Sequence, residues 1–155
     1  MEEARRRRRA TAQLKEALRA LSGQLSLLDR QVSARAELKD VDLDCLDVIG
    51  RHGPISPSAL ARQAGLHPAT LTGILDRLER AGWIARERDT ADRRAVLIKA
   101  LPDRSGELFG LYSGMNRAMD EICAGYTETE LHLVTGFLRQ VTGAGGEATA
   151  ALSQG

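Results

Sequence analysis

The chain has 155 residues, of which 43% are hydrophobic and 28% charged, so it can bury one sizeable core but is too short to suggest two independent ones. Aromatic residues make up only 3% of the sequence, which favours a helical core of Leu, Val, Ile, Ala and Met. The net charge is +1, but residues 51–100 carry nine Lys/Arg against five Asp/Glu, and residues 101–155 carry three against seven. An anionic partner would therefore favour the basic middle region. The alternative is that the charges of this region are only solvated.

Two cysteines, Cys45 and Cys123, cannot form a disulfide framework or a four-ligand zinc site, so reduced thiols in the cytoplasm are expected. The arginine run Arg5–Arg9 is not followed by an apolar stretch, and no run approaches 18 apolar residues. We therefore expect neither secretion nor membrane spanning. The three histidines show no metal-binding or nucleophile spacing, so no cofactor, metal site or catalytic activity is expected.

In the first part of the chain, leucines recur at spacings of three and four from about Thr11 to Ala36, which predicts one long amphipathic helix. A helix of roughly 25 residues is ~38 Å long, and its apolar stripe needs cover from this chain or from a second copy. The preceding Arg5–Arg9 is either a disordered arm that adds phosphate contacts or a charged N-terminal turn. After a break at Lys39, Asp40 can cap a second helix.

Two short helices with clear start and stop signals are predicted next. Ser56 followed by Pro57 is typical of an N-cap and the first helical position, and Gly65 can end that helix in the left-handed conformation. His67 followed by Pro68 repeats the start signal for a second helix. Only three residues join the two helices, which indicates a helix-turn-helix.

Directly after these helices, two strand-like runs at 83–88 and 95–99 are separated by a polar tip at 89–94. A hairpin in this position predicts a winged helix. The following residues, 103–141, are predicted to be helical again, and Thr127 and Glu130 have the spacing of a capping box.

The second helix of the helix-turn-helix is the candidate recognition helix, because short polar residues lie near its N-terminus on the face opposite its leucines. Thr70 and Thr72 can donate hydroxyl hydrogen bonds to base edges or phosphates, and Ala69 offers a methyl group to thymine. Arg77 can neutralise a phosphate. The alternative is that these are ordinary surface residues of a packed helix.

The wing tip carries Arg93 and Arg94 at the end of a hairpin too short to need them for packing. An arginine projected in this way fits the narrow, strongly negative minor groove of DNA. Asp92 is expected to orient a nearby arginine such as Arg86 or Arg88. The alternative is a solvated turn of mixed charges.

Four stretches of the sequence together resemble the MarR family of bacterial transcription regulators. They are residues 53–61 (GPISPSALA), 66–72 (LHPATLT), 75–84 (LDRLERAGWI) and 92–98 (DRRAVLI). The Asp-Arg-Arg wing so soon after Leu-Glu-Arg-Ala-Gly is the most specific part. The resemblance covers residues 38–102 closely and the flanking helices only by length and pattern.

This resemblance implies a mainly α winged helix-turn-helix of about six helices and a two-stranded wing, in a homodimer that binds a pseudo-palindromic DNA operator. It implies DNA contacts by Thr72 and Arg77, with Arg94 in the minor groove. Members usually repress transcription until a small aromatic or phenolic ligand, or a thiol oxidant, acts on them. The full set of candidate DNA-binding residues is Ser56, His67, Ala69, Thr70, Thr72, Gly73, Arg77, Asp92, Arg93 and Arg94.

Three positions depart from the family pattern. Gly73 stands where many members carry a larger polar or basic residue, so a base contact is expected to be missing and sequence choice to depend more on Thr70, His67 and DNA shape. Leu101 and Arg104 replace the Thr and Gly usual after the wing, so the following helix is expected to be capped differently.

The resemblance also implies the organisation of the chain and the place of an effector. An N-terminal arm and first dimerisation helix occupy 1–37, the winged helix 38–102, C-terminal dimerisation helices 103–142, and a flexible tail rich in Gly, Ala, Thr and Ser 143–155. The effector cleft lies between the dimer helices and the winged helix. Its candidate residues are Asp47, Arg51, His52, Trp83 and Arg86, with Trp83 able to stack on an aromatic ring. The alternative is that these residues form a hinge of ordinary contacts. Localisation at the nucleoid in the bacterial cytoplasm follows.

Two other functions are consistent with the residues. One is a thiol-based redox regulator acting through Cys45 or Cys123, although the peroxide-sensing branch of the family uses a cysteine in the first helix, where this chain has none. The other is a winged-helix protein-interaction module that does not bind DNA, which salt-sensitive binding to duplex DNA would exclude.

Overall fold

A computed structural model of the protein describes residues 1–154 and contains six helices and one two-stranded antiparallel sheet. In chain order the elements are α1 (Glu2–Arg35), α2 (Asp40–His52), α3 (Pro57–Ala64), α4 (Pro68–Arg80), β1 (Ile84–Arg88), β2 (Val96–Ala100), α5 (Pro102–Cys123) and α6 (Glu128–Ser153). The predicted mainly α winged helix is confirmed. The chain forms two compact units, the first from Met1 to Leu111 and the second from Tyr112 onward.

The core of the first unit is built from the buried faces of α2, α3 and α4 together with the sheet. Apolar residues at helical spacing explain this packing, since α4 buries one side chain per turn or more along a single face. The most completely buried side chains include Leu60, Leu71, Leu78, Trp83, Ile84 and Ile98. The helix-turn-helix is therefore held rigidly on its inner side.

The helix boundaries follow the predicted signals at α3 and α4. The Ser56 hydroxyl caps α3, and Gly65 ends it with a φ of 65°, a conformation that a side chain would resist. The Nδ1 atom of His67 accepts a hydrogen bond from the backbone of Ala69 at 3.1 Å, as expected for the cap of α4. In α2 the prediction was wrong by one residue, because Lys39 is the N-cap and Asp40 is the first helical residue.

The wing pairs β1 with β2 in the register Ile84 opposite Ala100 through Arg88 opposite Val96. A contact that the sequence did not reveal extends this sheet. Ile55, just before α3, exchanges backbone hydrogen bonds of 3.0 and 2.7 Å with Ile98. The wing is thus attached at its base to the start of the helix-turn-helix.

At both ends of the chain the helices extend further than the sequence predicted. Arg5–Arg9, expected to be a disordered arm or a charged N-terminal turn, lies inside α1, with Glu2 and Glu3 in the first turn. The helix α6 continues to Ser153, through the segment from Gly143 that was expected to be a flexible tail. This part of α6 contains several alanines, which favour helix. The hydroxyl of Thr149 also donates a hydrogen bond to the carbonyl of Gly145 at 2.9 Å. Gly155 lies outside the described residues.

The helices that flank the winged helix leave much apolar surface uncovered. On α1 the side chains of Leu14, Leu21, Leu25 and Leu27 are exposed, and neither α5 nor α6 contains a buried residue. The capping box of Thr127 and Glu130 is present at the start of α6. Across residues 1–154 no helix is both long and apolar enough to cross a lipid bilayer.

Candidate nucleic-acid interface

The outer face of α4 presents the short polar residues that the sequence predicted. Ala69, Thr70, Thr72 and Gly73 are exposed, while Leu71 on the opposite face is buried. The hydroxyl of Thr72 already donates to the carbonyl of Pro68 at 3.1 Å, so towards a ligand its oxygen can act only as an acceptor. Thr70 is the hydroxyl on this face that remains able to donate.

Ser56 is the N-cap of α3, and His67 is the N-cap of α4. The Ser56 hydroxyl accepts from the backbone of Ala59 at 3.2 Å and lies 3.3 Å from the Ser58 hydroxyl. His67 is exposed, and its Nδ1 atom is occupied by the cap. Both residues are therefore held in fixed positions at the first turns of α3 and α4.

Arg77, predicted to neutralise a phosphate, makes an ion pair with Asp42 of α2. Its Nη2 and Nε atoms lie 2.7 and 3.4 Å from the two carboxylate oxygens. The Asp42 side chain is only 6% exposed, whereas that of Arg77 is 39% exposed. The hydrogen bond that Arg77 donates to Asp42 raises the pKa of Arg77 above its usual value. Arg77 thus ties the recognition helix to α2, and the predicted phosphate contact of its exposed part stays a prediction.

The wing tip is ordered by hydrogen bonds between side chains and backbone. An Asp92 oxygen accepts from the backbone of Arg94 at 3.0 Å, and an Asp89 oxygen accepts from that of Ala91 at 2.9 Å. Arg88 donates to the carbonyl of Arg93 at 3.0 Å. The predicted pairing of Asp92 with Arg86 or Arg88 was wrong, because the short turn lets the carboxylate reach the nearer backbone N–H groups.

Arg93 and Arg94 are exposed at this tip. Neither guanidinium makes an ion pair with any of residues 1–154. Asp92 therefore shapes the turn without neutralising the two cations, which remain available to an anionic partner.

Arg86 joins the wing to the recognition helix. Its guanidinium lies 2.7 Å from an Asp76 oxygen and 2.9 Å from a Glu79 oxygen, and its backbone N–H donates to Glu79 at 3.2 Å. The hydrogen bond that Arg86 donates to Asp76 is the main reason that the pKa of Arg86 is raised. The Arg86 guanidinium and the carboxylates of Asp76 and Glu79 are thus bonded to each other within the winged helix.

The Trp83 side chain is 1% exposed, and the Arg104 guanidinium covers its ring at 4.0 Å from the ring centroid. Trp83 and Arg86, two of the candidate effector residues, are therefore both engaged in contacts within the protein. The other candidate ligand residues lie on α2, where Asp47 and Arg51 bond to each other and His52 is exposed at the helix end.

The sequence analysis did not identify the acidic residues that pair with Arg77 and Arg86, which are Asp42, Asp76 and Glu79. Only Asp42 had a signal, because a carboxylate in the apolar register of α2 indicates a buried partner. Arg104 was identified only as a departure from the family pattern. Its guanidinium also donates to the carbonyl of Ala81 at 2.9 Å.

The two cysteines differ in exposure. Cys45 is fully buried in the core, and burial, with Asp42 and Asp44 nearby, raises the pKa of its thiol to about 11. A buried thiol of raised pKa is a poor sensor of oxidants. Cys123 is half-buried on α5. Within the described part of the chain, no group of three His, Cys, Asp or Glu side chains is placed to hold a metal ion.

Comparisons with known proteins agree with this geometry. The sequence profile of the MarR family matches residues 38–96. The HTH-type transcriptional regulator YcgE of Bacillus subtilis (strain 168) is 34% identical over 117 residues, which are 75% of this chain and 76% of YcgE. A MarR family protein from Bacillus stearothermophilus superposes with a TM-score of 0.66 at 21% identity, covering 88% of this chain and 95% of that chain. NadR, solved in complex with 4-hydroxyphenylacetate, has a TM-score of 0.59 at 26% identity, covering 83% of this chain and 88% of that chain.

A helix-turn-helix with short polar side chains on its outer face, followed by a hairpin that exposes two arginines, is an arrangement that binds duplex DNA. The identity with YcgE extends over three quarters of both chains and so reaches beyond this module. The chain therefore belongs to the MarR family of DNA-binding transcriptional regulators, which are not enzymes.

Proposed function

We propose that this regulator is a repressor in which α4 reads the major groove of an operator and the wing enters the adjacent minor groove. The observation that carries the proposal is the exposure of Arg93 and Arg94 without ion-pair partners within residues 1–154, beside a recognition helix with an open polar face. Thr70 and the methyl group of Ala69 are proposed at base edges, and Thr72 accepts a bond through its oxygen.

The remaining candidate residues have supporting roles in this proposal. Ser56 and His67 fix the first turns of the two helices, and Asp92 shapes the wing tip. Gly73 brings the backbone of α4 close to DNA because no side chain intervenes, and no atom lies within 4 Å of the position a Cβ would take. Arg77 acts through its bond to Asp42, which sets the position of α4.

Arg94→Ala is expected to weaken operator binding by ~1–3 kcal/mol and to flatten its dependence on salt concentration, because a minor-groove cation and its released counterions are lost. A salt series of fluorescence-anisotropy titrations with a labelled operator measures both effects. Parental affinity and salt slope in Arg94→Ala would contradict the proposed docking of the wing.

The proposed repressor is a two-fold dimer. The support is the uncovered apolar surface of α1, α5 and α6, which includes Phe109, Met119 and Leu133 in addition to the leucines of α1. Residues 1–37 and 103–142 are proposed as the dimerisation segments, and two recognition helices then address half-sites roughly one helical turn, ~34 Å, apart.

Sedimentation equilibrium at micromolar protein is expected to give twice the chain mass of 16.8 kDa, because isolated helices with such faces are not stable in water. The matched variant Leu21→Glu, which places a charge on the exposed face of α1, is expected to shift the equilibrium towards monomer. A parent protein that sediments at 16.8 kDa would exclude the dimer.

We further propose that a small aromatic acid or phenol releases the repressor from its operator. The similarity to NadR, whose structure contains 4-hydroxyphenylacetate, supports this class of effector. Arg51 and His52 at the end of α2 are the proposed contacts, with Asp47 as the present partner of Arg51. A redox switch has less support, because Cys45 is buried and its pKa is raised. A regulator of this kind works at the nucleoid.

A thermal-shift titration with 4-hydroxyphenylacetate is expected to stabilise the parent, since a ligand that binds only the folded state raises its melting temperature. The same ligand is expected to lower operator affinity by a factor that corresponds to ~1–3 kcal/mol of coupling. Arg51→Gln should lose both effects. Stabilisation of parent and variant alike would place the ligand elsewhere.

A further inference from the structure

Near its N-terminus, α1 contains a basic segment, residues 4–15. This segment carries six cations, Arg5–Arg9 and Lys15, and no carboxylate. All six are exposed, and among residues 1–154 only Arg6 makes an ion pair, with Glu2 at 3.7 Å. Like charges that are three or four residues apart destabilise a helix. An anionic partner along the basic segment relieves that repulsion.

The basic segment has no apolar stripe of its own. From residue 2 to residue 13 no apolar side chain is larger than that of alanine, so this part of α1 has little surface to bury. The leucine stripe starts directly after it, and the side chains of Leu14 and Leu21 are exposed. A surface that covers α1 must therefore offer apolar contacts to the leucines and negative charge to the arginines.

The turn between α5 and α6 has the opposite charge. Residues 118–138, here called the acidic corner, contain four carboxylates and no Lys or Arg. The four are the exposed carboxylates of Asp120, Glu121, Glu128 and Glu130. Glu130 is bonded in the capping box of α6, whereas the other three make no ion pair with any of residues 1–154. Ile122 and Tyr126 of the acidic corner are exposed as well.

We propose that the basic segment of one copy docks on the acidic corner of a second copy, with arginines against carboxylates and Leu14 beside the exposed apolar residues of the corner. This inference rests on the proposed dimer. A two-fold dimer forms the contact twice, because each copy contributes one basic segment and one acidic corner. Opposite charges beside the apolar surface then favour copies of this chain over proteins that lack either cluster. Duplex DNA matches the arginines but does not cover the leucines.

Two charge-reversed variants test this docking. One combines Arg7→Glu with Arg8→Glu, and the other combines Asp120→Lys with Glu121→Lys. Carboxylates near the N-terminus of α1 and cations near the C-terminus of α5 suit the helix dipoles, so both variants are expected to fold, which circular dichroism checks. Each variant alone places like charges across the contact. Its dimer dissociation constant, from sedimentation equilibrium without DNA, is expected to rise about tenfold, since several exposed ion pairs are replaced by repulsion.

An equimolar mixture of the two variants is expected to restore the parental dissociation constant, because both contacts of a mixed dimer again join opposite charges. The parent dimer should also weaken between about 0.1 and 1 M NaCl, where the Debye length falls from roughly 10 to 3 Å. The matched control Arg62→Glu reverses an exposed charge on α3 and should keep the parental constant.

The possible results separate the docking from the dimer. Unchanged dimerisation of both variants would overturn the docking and leave the proposed dimer intact. Weakened variants that mixing does not restore would also overturn it, since the charges would then act within one chain. A parent that sediments as a monomer would exclude the dimer and the docking together. Parental dimerisation of Arg7→Glu with Arg8→Glu, combined with weaker binding to duplex DNA without an operator, would instead assign the basic segment to nucleic acid.

Discussion

Replacing Trp83 with alanine is expected to lower the free energy of unfolding by about 3–5 kcal/mol, the loss typical of removing a buried aromatic side chain. Trp83 is 1% exposed and belongs to the core shared by α2, α3, α4 and the sheet. Its removal leaves a cavity and also takes the aromatic face away from the Arg104 guanidinium at 4.0 Å. Two separate stabilising contributions are therefore lost at one position.

Urea denaturation followed by circular dichroism measures this loss, since the variant contains no tryptophan for fluorescence. Protein concentration must be the same for all variants, because association of copies adds to the apparent stability. Trp83→Phe is the matched control and should lose less than Trp83→Ala, because a ring remains in the core. A loss below about 1 kcal/mol for Trp83→Ala would contradict the role of this side chain in the core.

Arg77→Met is expected to lower the free energy of unfolding by about 2–3 kcal/mol, because the Asp42 carboxylate is left buried without its partner. The Asp42 side chain is 6% exposed, so water replaces the lost hydrogen bonds poorly. The Arg77 side chain is 39% exposed, and this access to solvent keeps the expected loss below that of a fully buried pair. Chemical denaturation by urea again provides the measurement.

The double variant Asp42→Leu with Arg77→Met tests the origin of that loss. When both charges are replaced by apolar groups, no buried charge remains, and most of the stability should return. The same variants separate the ion pair from the phosphate contact that the sequence suggested for Arg77. Parental stability in Arg77→Met, combined with weaker operator binding, would favour the phosphate contact and contradict a structural role.

The features predicted correctly from sequence depend on residues close to one another in the chain. Ser56 and His67 cap their helices through bonds to residues two or three positions on, and the capping box at Thr127 has the same range. Local spacing of this kind is visible in a sequence because the chain geometry within one helical turn is nearly fixed. The winged helix was therefore predictable element by element.

The features that were missed depend on contacts between distant positions or on competition between local ones. Asp42 and Arg77 are 35 residues apart, and Arg86 reaches Asp76 across ten. Periodicity shows that such side chains lie near a face but does not identify the opposite charge. At the wing tip, Asp92 had several possible partners, and the nearest backbone N–H prevailed. The last turns of α6 followed alanine propensity despite their glycines.

The bonds from Arg86 to Asp76 and Glu79 have a consequence for how operators can vary. They hold β1 against α4, so the recognition helix and the wing, which are proposed to enter the major and minor grooves of one half-site, form a single rigid unit. Such a unit tolerates no change in the number of base pairs between its two contact points. Differences in length among the operators of this regulator should therefore accumulate in the segment between the half-sites, where the two rigid units of a dimer can adjust to each other, and not within either half-site.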